Sequence, residues 1–286
     1  MSKARRTGWF EAVRGASDRR LMALSVFAPY VAIGALACAS PAIAQQGVQP
    51  VGDAGNWRLV MDSEFDGSAI NYSLWQPNWW GASDTAITGP VNSLEKECYN
   101  PAQAAEGQGY LSIKAVSQSC DGFGYASDLV STDPVQNVNR GGFQFTYGFM
   151  EAKVSVPDNG AGGVANWPAF WAVGQNWPMD GEIDVMEGLG GPVCSTFHYG
   201  TSAAPQSIGP TCATGDYSGW HTYGADWEPG SVTFYYDGKK IGRVTQHVTG
   251  DPMFLILDYA LTNAFGGPGI QTPSTMQVAY VRVWQH

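Results

Sequence analysis

The sequence predicts an all-β fold, a sandwich of two antiparallel sheets of the jelly-roll type, and three observations predict it. From residue 57 onward, short runs that alternate apolar and polar residues recur at close intervals, divided by turn residues. Glycine (36) and tryptophan (11) are plentiful while only 14% of residues are charged, which suits a sandwich with aromatic-lined surface grooves. No long helical period, internal repeat or Pro/Ser-rich linker appears after residue 44.

The 286 residues are enough for one large β domain. The first 44 read as a segment apart. Lys3, Arg5, Arg6, Arg14, Arg19 and Arg20 precede an apolar run from Leu21 to Ala37, and Ala42, Ile43 and Ala44 form a small-x-small cleavage pattern. This is the pattern of an export signal cut after Ala44, leaving a secreted or periplasmic chain. The run is short for a spanning helix and is interrupted by Pro29 and Gly34, so no membrane attachment is expected after cleavage. Of 15 basic residues the cut removes 6, leaving 9; of 25 acidic residues it removes Glu11 and Asp18, leaving 23, and the net charge is then near −14. Such a chain is excluded from binding nucleic acid through phosphates. Cys98, Cys120, Cys194 and Cys212 remain; an exported chain with four cysteines suggests two disulfides with three possible connectivities. Cys98–Cys120 and Cys194–Cys212 each close a short loop and are the expected pairs. No cysteine or histidine cluster has metal-ligand spacing.

Taken in order, residues 45–56 read as a flexible lead-in and 57–286 as the folded domain. Residues 57–67 read as an edge strand and turn, with Trp75 beyond it in the core. Trp79 and Trp80 form an aromatic pair in a polar loop, either lining a groove or plugging one end of the sandwich. Tyr110 to Val116 alternates cleanly, Ala126 to Thr132 reads as the next strand, and Phe143 to Pro157 keeps a period of two along its length. Trp167 and Trp171 are four apart, so one strand face can carry both. Residues 194–200 form another alternating strand. Residues 220–227 and 231–238 read as a strand and a hairpin ending at Asp237 and Gly238. Residues 252–261 are a long apolar run, and 276–284 close the domain.

The chemistry concentrates in residues 177–190, WPMDGEIDVMEGLG. As a helix, Glu182 and Glu187 would stand about 140° apart and share no face. As a strand, which β-branched Ile183 and Val185 favour, Glu182 and Asp184 share one face and Ile183 and Val185 the other. Glu187 is then out of phase by one residue, and a single β-bulge near Met186 restores it. Three carboxylates on one sheet face repel one another, raising one pKa and leaving another group ionised, as an acid and a nucleophile working together require. Four effective strand steps span about 13 Å, and side chains leaning inward leave roughly 6 Å, nearer the separation of retaining than of inverting glycosidases.

This EIDVME run resembles the signature of family 16 glycoside hydrolases in the bulged, laminarinase-like form. The likeness extends over Trp57 to Trp284, through residues 62–67, the NWPAFW run at 166–171 and the strands at 220–238. It implies a jelly roll with an open substrate groove on the concave face. It also implies a secreted, retaining endo-glycosidase, with Glu182 as nucleophile, Glu187 as general acid/base and Asp184 holding the proton balance between them. Trp177 would form a platform under the sugar beside the cut bond, with Trp167 and Trp171 gripping further rings and His198 facing the cleft from the neighbouring strand. Asn92 and Glu95 resemble, with one residue shifted, a segment that gives polar groups near the cleft. The family's Asn is replaced by Asp258, which is given no role. The family's structural calcium uses an Asp where Ala279 stands, together with a Glu near the start of the domain (Glu64); with that ligand missing, no cofactor is expected. The implied partner is a polysaccharide, most simply a β-1,3-glucan, acted on by a monomer. The alternatives are the same chemistry on a galactan or bacterial exopolysaccharide, a transglycosylase, and a lectin-like carbohydrate-binding module.

Overall fold

The computed structural model describes residues 47–78, 81–139 and 141–286. The predicted export signal and the Trp79 and Trp80 pair lie outside the described residues. Along the described chain the strands are β1 (Arg58–Ser63), β2 (Glu97–Tyr99), β3 (Ala104–Gly107), β4 (Tyr110–Ala115), β5 (Tyr125–Ser127) and β6 (Leu129–Ser131). There follow β7 (Gln144–Phe145), β8 (Gly148–Ser155), β9 (Trp167–Gly174), β10 (Glu182–Gly188), β11 (Val193–Thr201) and β12 (Ala204–Cys212). The last are β13 (Trp220–Glu228), β14 (Ser231–Tyr236), β15 (Lys239–Val244), β16 (Met253–Ala260) and β17 (Ser274–Gln285). Among the described residues, the helical content is one short turn, Pro101–Gln103.

Two large sheets form, both antiparallel. One runs β15-β14-β13-β8-β17-β4-β3, with β1 also on β17; the other runs β12-β11-β10-β9-β16-β6, with β7 also on β16. Period two explains the pairing. Met150, Ala152 and Val154 of β8 and Val278, Val281 and Val283 of β17 point inward from the first sheet. Phe170 and Ala172 of β9, Ile183 of β10 and Leu255 and Leu257 of β16 meet them from the second. Both faces' apolar sets leave water together, which is the main drive for stacking two sheets. The opposite face of the second sheet is left for the cleft.

Two expected strands are in fact pairs of strands. The 126–132 run divides at the buried Asp128: β5 pairs in parallel with β2, whereas β6 pairs antiparallel with β16. The 143–157 run divides at Tyr147, whose φ is +59°, so that β7 joins the cleft sheet and β8 the other. In both cases periodicity continues across the break because each half has its own buried face, and periodicity does not tell which sheet buries it. The hairpin between β14 and β15 turns on Asp237 and Gly238, with φ of +46° and +70°, the left-handed pair a tight two-residue turn needs.

Both expected disulfides form, Cys98–Cys120 and Cys194–Cys212, the second tying β11 to β12. The expected absence of a metal at Glu64 has a physical basis. The guanidinium of Arg282 sits on Glu64 (Nε–Oε1 2.7 Å) and on Asp62 (3.2 Å), and lies 3.9 Å over the Tyr280 ring. A cation built into the chain already occupies these carboxylates, so the residues present do not fit a calcium ion there.

Candidate active site

Strand β10 carries the three carboxylates as the period-two reading requires. Ile183, Val185 and Met186 are all buried in the core, so two successive residues point inward. The register against β9 shifts between Asp184 and Met186, and against β11 between Asp184 and Glu187. This is the bulge expected near Met186, and it returns Glu187 to the face of Glu182 and Asp184. All three line a cleft of about 690 Å³ on the outer face of the sheet.

Pairing then brings in the neighbours. His198 of β11 stands directly opposite Glu182. Its Nε2 is 3.0 Å from Asp184 Oδ2 and 3.6 Å from Glu182 Oε1. Burial works against a charged imidazole, but the hydrogen bond and charge of Asp184, followed by Glu182 and Glu187, outweigh it and push its pKa up to about 9. His198 is therefore a cation at neutral pH. Burial, then Asp184, push the Glu187 carboxyl up to about 8, opposed by hydrogen bonds from Trp167 and Thr196 and by the His198 charge. Glu182 is also raised well above the usual carboxylate range, by burial first and then Asp184. His198 and a hydrogen bond from Trp177 favour its ionised form.

The tryptophans divide by task. Trp177, 44% exposed, lies on the loop before β10 and offers the cleft a broad apolar face. Trp167 lines the cleft too, and its indole N–H donates to Glu187 Oε1 at 2.9 Å. Trp171 is only 8% exposed. It packs in a small apolar cluster with Tyr99, Phe254 and Ile256, and its indole N–H donates to Asp258 Oδ1 at 2.7 Å. Its edge reaches the cleft, but most of the ring is shielded from a sugar.

Asn92 and Glu95 also reach the cleft, with their polar atoms already engaged. Glu95 accepts from the Val91 amide (2.9 Å), the Asn92 side chain (2.7 Å) and the Tyr99 hydroxyl (2.7 Å). They shape the wall more than they offer free groups.

Sequence reasoning missed Phe265 and gave Asp258 no part; both line the cleft. Asp258 lies opposite Ala169, which itself lies opposite Glu187, so the three occupy one row across β16, β9 and β10. Burial, then the charge of Glu95, raise its carboxyl well above the usual range. Nothing local in the sequence pointed to either: Asp258 meets Trp171 across 87 residues, and Phe265 comes from a separate loop.

Residues 134–281 match glycosyl hydrolases family 16. The chain belongs to this family. It is 27% identical over 231 residues to endo-1,3-1,4-beta-glycanase ExsH of Rhizobium meliloti, covering 74% of this chain and 47% of that protein. It is 28% identical over 269 residues to glucan endo-1,3-beta-glucosidase A1 of Niallia circulans, covering 79% of this chain and 38% of that protein. The chain thus spans about half or less of the length of these relatives. Among solved structures, the laminarinase catalytic domain of Thermotoga petrophila is similar at 28% identity and a TM-score of 0.64, over 80% of this chain and 98% of that one. The endo-β-1,3-glucanase of Pyrococcus furiosus is similar at 28% and 0.65, over 83% and 98%. The family 16 jelly roll expected from the sequence is the fold observed.

Proposed function

We propose that this family 16 protein is an exported, retaining endo-β-glucanase whose substrate is a β-1,3-glucan. The observation that carries the reading is the side-by-side presentation of Glu182 and Glu187 in one cleft, with Asp184 between them and the His198 cation against Asp184 and Glu182. Glu182 attacks the anomeric carbon while the bond to the leaving oxygen breaks and Glu187 gives that oxygen its proton. The glycosyl–Glu182 ester is then cleaved by water, whose proton returns to Glu187, and Glu182 is released as a carboxylate. The His198 charge stabilises the carboxylate that departs in this second step. It also holds Asp184 in place, so protonation of one group is felt by the other two. The open apolar face of Trp177 suits stacking against the C–H face of a sugar. The names of the Thermotoga, Pyrococcus and Niallia proteins support a 1,3-linked glucan, and the N-terminal signal pattern supports export.

The test is reducing-end release by residues 45–286 from laminarin, mixed-linkage β-glucan, agarose and a microbial exopolysaccharide, with Glu182→Gln as control. Release from laminarin that disappears in the variant is the expected result. Release from another polymer alone would replace the glucan assignment while keeping the two carboxylates. Binding without release from any polymer would leave a carbohydrate-binding module.

A further inference from the structure

The loop between β16 and β17 carries Phe265 to the cleft edge, on the Glu187 side. Phe265 is 37% exposed, and its ring meets Trp167 edge to face, with centroids 4.7 Å apart and planes at 88°. Trp167 is the ring whose N–H reaches Glu187 Oε1 at 2.9 Å. The three side chains therefore form a line of contact from the loop to the carboxyl.

The loop is held in place. Thr262 Oγ1 donates to the Leu94 carbonyl at 2.9 Å and accepts the Ala264 amide at 3.0 Å. The Asn263 side chain accepts the Ile270 amide at 3.2 Å. The loop also abuts the turn that follows β10: a Cβ on Gly190 would meet the Phe265 carbonyl oxygen at 2.4 Å, and one on Gly267 would meet the Gly190 oxygen at 2.5 Å. Only glycines allow that approach. The segment carrying Phe265 is thus keyed to the end of the strand that carries Glu187.

Resting on the glycosidase reading above, we propose that Phe265 is a positioning residue for the acid/base carboxyl. It fixes the Trp167 ring edge-on, and the indole N–H then fixes the orientation of Glu187. With Oε1 accepting that N–H, and Thr196 also donating to the carboxyl, the indole helps set the direction in which Glu187 presents its proton to the leaving group. An indole without Phe265 beside it can turn about its side-chain torsions, and a carboxyl that turns with it delivers its proton along a poorer line. The edge-to-face geometry is the favourable one for two aromatic rings, so an aromatic at 265 does what an aliphatic residue of similar volume does not.

The test separates proton delivery from everything else. Phe265→Ala, Phe265→Trp and Trp167→Phe are compared on laminari-oligosaccharides, whose leaving oxygen needs a proton, and on a 2,4-dinitrophenyl β-glycoside, whose leaving group needs none. General-acid assistance contributes on the order of 10²–10⁴-fold, so partial misplacement in Phe265→Ala should lower kcat on the oligosaccharide by about 10–100-fold. On the dinitrophenyl substrate kcat/KM, which reports only the first step and so needs no acid, should change by no more than about 3-fold, and Phe265→Trp should restore most of the loss. In the Trp167→Phe background, Phe265→Ala should add little, because the route through the indole is already cut. Carbon-13 NMR titration of the Glu187 carboxyl needs no substrate and should show the same dependence: altered by Phe265→Ala, and not altered further once Trp167 is Phe. Equal loss on both substrates, additive effects of the two changes, or a rise in KM with kcat unchanged would overturn the proposal, the last by making Phe265 a sugar contact. A wild-type protein inactive on both substrates would instead refute the glycosidase reading, and the NMR titration would still decide this one.

Discussion

Glu97 offers the clearest test of how the cleft wall is held. Its side chain is fully buried; one oxygen accepts the amides of Lys96 (3.0 Å) and Leu261 (2.9 Å), and the other has no partner among the described residues. Burial, then the charge of Glu95, push its pKa from 4.5 up to about 8. Between those values the folded protein keeps a proton that the unfolded chain has lost. Stability is therefore unaffected by this group below pH 4.5 and falls as pH rises toward 8. Three and a half units at about 1.4 kcal/mol each give a penalty of about 5 kcal/mol, and relaxation around the carboxyl reduces it to a few. For a domain of this size each kcal/mol moves the melting midpoint by about 2–4 °C. Glu97→Gln keeps a carbonyl oxygen for both amides and cannot ionise. Its melting midpoint should fall less than wild type between pH 5 and pH 9, by at least about 5 °C. Any cost of the unpaired amide is a constant offset, because it does not depend on pH. Melting curves followed by circular dichroism at several pH values measure the difference. If the two curves run parallel across that range, Glu97 is ionised in the fold and the argument from burial is wrong.

Other expectations follow from the same geometry. Activity should fall as pH rises through about 8, where Glu187 loses its proton, as read from the alkaline limb of kcat/KM. Replacing His198 by Gln removes the cation that favours ionised Glu182, so the acid limb should move to higher pH and kcat should fall. Joint replacement of Cys194 and Cys212 by Ser opens an 18-residue loop and should cost about 3 kcal/mol in denaturant unfolding. A chelator should leave the melting midpoint unchanged, since Arg282 rather than a metal meets Glu64; a drop would disprove that substitution.

Local periodicity carried much of this site. Alternation placed Glu182 and Asp184 on one face and Ile183 on the other, and the phase error at Glu187 demanded a bulge, which stands between Asp184 and Met186. These relations span six residues and depend only on the strand repeat. The disulfides were legible for a similar reason, because short loops limit which cysteines can meet.

What the tertiary structure decided lies across strands and loops far apart in the chain. Trp171 and Asp258 are 87 residues apart and Trp167 and Glu187 are 20 apart, yet each pair shares a hydrogen bond that no local pattern encodes. Trp167 and Trp171 look alike in sequence, both on one face of one strand. Only the packing of Tyr99, Phe254 and Ile256 around Trp171 buries it and leaves Trp167 free to meet Glu187. The sequence by itself determined which residues alternate, which carboxylates share a face and where the strand must bulge, because those follow from backbone geometry within a few residues. The fold alone decided which strand lies beside which, how far the burial of Glu97 and Glu187 moves their protons, and that a phenylalanine from a distant loop comes to rest against the ring that holds the acid.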